Sequence, residues 1–158
     1  MRWLWVALLL AVPLHAAEVK RAYPASYELV QLTDNGETTL ASGQTLLLMN
    51  DTVTVQGSAH SSSATLHFRL EPAPAQTGGS PAKLILHSRV EIAHRKGQTR
   101  VQVPNQPDSY IQGPKVAKST FSTQSWRRQG DPTPIITPFT LDGRSYRLTV
   151  IMEPQQSG

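Results

Sequence analysis

The chain contains no cysteine. That excludes disulfides, thiol catalysis and thiolate metal sites, and also the lipidated cysteine of a bacterial lipoprotein. Aromatic residues make up only 6% of the 158 residues, and charged residues only 16%. Beyond position 17 no apolar run approaches the roughly 20 residues that a membrane-spanning helix needs. Strand-built membrane association stays open, because its signal per strand is weak. No window carries apolar residues at i, i+3, i+4 and i+7, so no helix of useful length is expected. Catalytic signatures are missing as well. There is no G-x-S-x-G elbow, no paired-carboxylate motif and no glycine-rich phosphate loop. The chain therefore reads as a non-enzyme without a cofactor.

What is present begins with a leader. Arg2 supplies a positive start, Trp3 to Leu14 is almost continuously apolar, and Ala16 and Ala17 follow. This is the layout of a cleaved signal peptide over residues 1–17. An uncleaved anchor is the alternative, and the cleavage site is imperfect, with Leu14 or His15 at the −3 position. Residues 18–158 then form a single domain, long enough to bury a core without staples. An exported domain of this size without disulfides points to a bacterial envelope protein, periplasmic or outer-membrane-associated. Export also argues against nucleic acid as a partner. Asn50-Asp51-Thr52 fits a glycosylation acceptor, which in a bacterial chain arises by chance.

Charge is unevenly spread. Residues 18–82 hold three basic and six acidic side chains, whereas 83–128 hold nine basic and two acidic. A central patch of this sign suits an acidic partner or an anionic lipid surface, or is simply a solvated strand face.

Period-two alternation recurs along the chain. Strands are predicted over 27–32, 38–49 (one or two, broken at Ser42-Gly43), 52–56, 64–71, 83–93, 99–103, 119–128, 135–141 and 144–152. Leu66, Phe68 and Leu70 share one face, and His67, Arg69 and Glu71 share the other. Leu84, Leu86, Val90 and Ile92 likewise share a face. The expected fold is all-β: an antiparallel sandwich or curled sheet of seven to nine short strands. Asp142-Gly143 between two β-rich runs predicts a type I′ hairpin. Its two-residue loop pairs Leu141 with Arg144, Phe139 with Tyr146, Thr137 with Leu148 and Ile135 with Val150. Pro138 cannot donate to a ladder, which places that strand at an edge or a bulge. Arg95-Lys96-Gly97 is expected to turn. Pro72 to Pro81 reads as a connector, and the serine-rich tract 58–63 as a further turn. Pro104 to Pro114 reads as a long loop that exposes Tyr110 and Ile111 for partner binding.

Two further constellations carry chemistry. If 64–71 and 83–93 pair with Glu71 opposite Lys83, His67 falls opposite His87. Two imidazoles on one polar face then suit zinc or copper, with Glu91 the nearest carboxylate. Exposed strand histidines are the plainer alternative. Trp126 beside Arg127 and Arg128 suits a protein or membrane interface, and ordinary rim packing equally well.

Residues 83–154 also carry a family pattern. Pro114-x-Val116, Phe121-x-Thr123 and Gly130-Asp131 are followed by Ile135-Ile136, with Leu84 to Ile92 upstream and Leu148 to Pro154 downstream. This series resembles the C-terminal β-domain of bacterial secretins, the outer-membrane channels of type II and III secretion and of pilus systems. The chain departs from the pattern at Thr137-Pro138-Phe139, where the family has paired glycines, and it lacks the membrane-inserting motif and the ring modules. The resemblance implies a reduced relative that cannot build a channel alone. The expected function is binding to an envelope protein partner, or self-assembly, through a strand edge or the 104–114 segment. A periplasmic metal- or ligand-binding β-module using His67 and His87 is the second expectation.

Overall fold

The computed structural model describes residues 21–74 and 83–154. The leader and most of the 72–81 connector lie outside these residues. Eight strands follow in order: β1 (Ala22–Thr33), β2 (Gly36–Leu48), β3 (Thr52–Ala59), β4 (Ser62–Pro72), β5 (Lys83–Val103), β6 (Gln106–Arg128), β7 (Ile135–Leu141) and β8 (Arg144–Met152). No helix occurs among the described residues, as the missing 3.6-residue periodicity requires.

The strands form two antiparallel four-stranded sheets that do not close into a barrel. Sheet A has the order β2-β1-β8-β7, and sheet B is the meander β3-β4-β5-β6. Their inner faces share one core. Leu29, Leu47, Tyr146, Leu148 and Val150 come from sheet A, and Leu66, Phe68, Leu70, Leu86, Val90 and Ile92 from sheet B. Aromatic contacts bridge the layers: Tyr27 meets Phe68 at 5.8 Å, and Phe121 stacks on Phe139 at 4.2 Å. Alternation explains which side of each strand is buried, since successive side chains point to opposite faces.

The β7–β8 hairpin has the expected register throughout, from Leu141 opposite Arg144 to Ile135 opposite Val150. Asp142 and Gly143 both adopt positive φ, 50° and 72°. β7 is an edge strand, which accommodates Pro138. β2 runs unbroken through Ser42-Gly43. Its irregularity lies instead at Leu40, an extra residue between Ala41 (opposite Leu29) and Thr39 (opposite Val30). The bulge lets neighbours Leu40 and Ala41 both be buried.

Two sequence expectations are overturned around β5 and β6. Arg95-Lys96-Gly97 does not reverse the chain. One surplus residue between Arg95 (opposite Val116) and Gln98 (opposite Pro114) is absorbed as a bulge, and β5 continues to Val103. Residues 104–114 are not a loop either. Only Pro104-Asn105 turns, with Asn105 at φ 64°; β6 pairs with β5 at Gln106 and again from Tyr110, with residues 107–109 surplus at a register shift. Pro107 and Pro114 are tolerated because β6 is an edge strand.

Candidate functional site

β4 ends opposite His94, whereas β5 continues for nine more residues. The distal β5–β6 hairpin is therefore a free two-stranded ribbon of about 30 Å, at about 3.3 Å per residue. Residues 95–102 of β5 are exposed on both faces. Cross-strand pairing places Val101 opposite Ile111 and Gln102 opposite Tyr110. Val101, Tyr110 and Ile111 are 55%, 57% and 62% exposed. The ribbon also carries Arg95, Lys96, Arg100 and Lys115 against Asp108 alone. The ribbon thus presents four of the nine cations of residues 83–128 on an element that adds nothing to the core.

The outer face of sheet B presents the second group of residues. The expected register of β4 and β5 is corrected by two positions. Glu71 faces Ile85 rather than Lys83, and Lys83 faces Arg128. His67 therefore lies opposite Arg89, and His87 opposite Arg69. The imidazoles are diagonal neighbours, each turned to a different carboxylate. His87 Nε2 is 3.0 Å from Glu71 Oε2, and His67 Nε2 is 3.9 Å from Glu91 Oε1. Thr54 Oγ1 engages His67 Nδ1 at 3.0 Å. Among the described residues no group of three or more His, Asp or Glu side chains converges as a metal site.

This register exposes a repeat that inspection of histidines alone misses. β4 carries His67-x-Arg69-x-Glu71, and β5 carries His87-x-Arg89-x-Glu91. Antiparallel pairing relates the two copies by a local two-fold axis at the Phe68–Ser88 pair. Each arginine holds the glutamate of its own strand, Arg69 Nε to Glu71 and Arg89 Nη2 to Glu91, both at 2.8 Å. The four cation-forming residues occupy the centre, and the carboxylates lie towards the two ends. An open trough of about 760 Å³ lies over this centre, flanked by Thr52, Ser122 and Gln124. The signal was legible in the sequence as one motif written twice, 20 positions apart; the pairing register gave it geometry.

Trp126 stands on the same outer face, opposite Ile85 and 54% exposed. Arg127 faces the other way, opposite Leu84. Its Nη2 donates to the Pro134 carbonyl at 3.1 Å, and its buried Nε has no partner. Arg127 thus ties the β6–β7 connection and is not available to a partner in the manner of Arg128, which is exposed.

A third cluster is buried between the sheets. His94 continues the inward face of β5 after Ile92 and is 4% exposed. Its Nδ1 lies 2.6 Å from Ser62 Oγ and 2.7 Å from Arg144 Nη1, and its Nε2 lies 2.9 Å from Tyr146 Oη. A guanidinium can only donate, so Nδ1 accepts and the imidazole proton sits on Nε2, donated to Tyr146. Burial, then the positive charge of Arg144, holds the His94 pKa below its ordinary 6.5. Burial likewise raises the Tyr146 phenol above its ordinary value. The Ser62–His94 pair has the spacing of a nucleophile and base. The lone pair it would use is already shared with Arg144, and both side chains are enclosed. The cluster fastens sheet B to sheet A.

No family model, no characterised protein and no solved structure matches the chain.

Proposed function

We propose that the protein is an exported, non-catalytic envelope protein that binds other protein chains through the β5–β6 ribbon, as a secretin-like component of a secretion or pilus system. One observation carries the reading: a hairpin of 21- and 23-residue strands whose distal half is exposed on both faces. A long, exposed strand edge is a template for pairing with another chain, and soluble proteins normally cover, shorten or blunt such edges. The far edge of β6 has no strand partner among the described residues. Main-chain hydrogen bonds supply affinity in strand addition, and neighbouring apolar side chains supply selectivity. Val101 and Ile111 provide that apolar spot. Four cations beside it, Arg95, Lys96, Arg100 and Lys115, favour an acidic partner surface and faster encounter.

The test is the native mass and membrane fractionation of the protein expressed with its own leader, combined with a photo-crosslinking residue at position 110. A ring-sized assembly in the outer-membrane fraction, crosslinked through position 110, is the expected outcome. A monomer in the soluble fraction that crosslinks to another envelope protein removes the secretin-like part and leaves an adaptor. A monomer with no adduct from position 110 overturns the ribbon as the working surface.

A further inference from the structure

We infer that the trough on the outer face of sheet B binds a phosphoryl group, held on the local two-fold axis between the two His-x-Arg-x-Glu strands. The proposal does not rest on the ribbon and concerns a different face of the molecule.

Geometry supplies the first support. His67 opposite Arg89 and Arg69 opposite His87 form a compact square of cross-strand pairs. Directly opposed side chains start about 5 Å apart, so all four heads can reach one small group above the sheet. The trough of about 760 Å³ is lined by all four of these residues, with Glu91 at one end and without Glu71. The trough is open and roomier than a free phosphate, which leaves space for the molecule that carries the phosphoryl group.

Unused donor capacity supplies the second support. Arg69 spends only Nε on Glu71, which leaves both of its Nη groups without a hydrogen bond to any described residue. Arg89 spends only Nη2 on Glu91. A guanidinium presents its donors as a planar fork that matches two oxygens of a phosphate. Two such forks related by a two-fold suit a divalent tetrahedral oxyanion better than a single carboxylate. Glu71 and Glu91 pre-orient the forks, because each pins one side of its arginine. They also compete with the ligand for the positive charge, which yields a prediction of opposite sign for their removal.

The shared chemistry has two sources, a soluble phosphomonoester or a phospholipid headgroup. The experiment titrates the protein with glycerol phosphate and, separately, with vesicles containing phosphatidic acid, whose headgroup is a phosphomonoester. Binding is read by calorimetry and by NMR shifts of the His67 and His87 rings. Saturable binding is expected, weakened at least tenfold in Arg69→Gln and in Arg89→Gln. Glu91→Gln should tighten it several-fold, and Arg147→Gln on sheet A, which pairs with Glu37, should leave it unchanged. Thermal melting checks that the variants are folded, and all of these side chains lie at the surface. Saturation by glycerol phosphate identifies a soluble ligand; saturation by vesicles alone identifies the headgroup. Saturation by neither overturns the proposal, as does binding that survives both arginine substitutions or falls as much with Arg147→Gln.

Discussion

His94 sits where the inward face of sheet B runs out of apolar residues. A buried imidazole is tolerated there because each ring nitrogen has a partner. Its neutral form is the one the site favours, so the folded-state pKa lies below 6.5. Above that value neither folded nor unfolded chain binds the proton, and the contribution to stability is fully present. As pH falls from about 6.5 towards the depressed folded value, the unfolded chain takes up a proton that the native state refuses, and stability declines. Denaturant melts between pH 7.5 and 5 should show this decline, and His94→Gln should flatten it. Tyr146→Phe leaves the Nε2–H of His94 without its acceptor in a buried site. That should cost about 1–3 kcal/mol at neutral pH, read by the same melts. The periodicity of β5 alone put His94 on the core side. Nothing in the local sequence indicated that Arg144 and Tyr146, 50 and 52 positions later, would meet it.

Among the elements, β3 shows how closely two strand edges approach. A Cβ on Gly57 would stand 2.3 Å from the Leu40 carbonyl oxygen and 2.6 Å from the Ala41 Cβ. The glycine is required by contact with the β2 bulge and not by its own backbone angles. Gly57→Ala forces that backbone apart and should cost about 1–3 kcal/mol in chemical denaturation. The same change at Gly113, which has open space around it, should be close to neutral. The β7–β8 hairpin was legible to the residue, because its turn chemistry and its alternating apolar positions specify the same register. The β4–β5 register was not. Both strands alternate cleanly, the connector is long, and a slip by two residues keeps every side chain on its face. Only packing against sheet A separates such alternatives.

For the molecule as a whole, the ribbon divides a rigid sandwich from a projecting arm. Local stability follows buried apolar contacts, of which the arm has few. Amide hydrogens of residues 98–103 and 109–116 should exchange orders of magnitude faster than those of 84–92, as measured by native-state hydrogen exchange. Replacing residues 98–114 with a short turn should shift unfolding free energy by no more than about 1 kcal/mol, in the range of surface changes. A larger loss would mean that the arm packs on the sandwich in solution. The two candidate surfaces also separate at this scale. Removing the ribbon should abolish crosslinking to other chains and leave phosphoryl binding on sheet B intact.

By itself the sequence determined the class of structure. Period-two patterning without helical stripes makes β-sheets the only way to bury these apolar residues, and Asp142-Gly143 specifies its hairpin locally. The exposure of Tyr110 and Ile111 was also expected, though from a loop that the structure replaces with a paired strand. Tertiary structure decided what those strands do. It merged two short segments and an apparent loop into one ribbon, because pairing satisfies backbone groups that a loop would leave to water. It also brought the cationic residues of β4 and β5 side by side on one face, because cross-strand register, which no local signal carries, selects each side chain's neighbours.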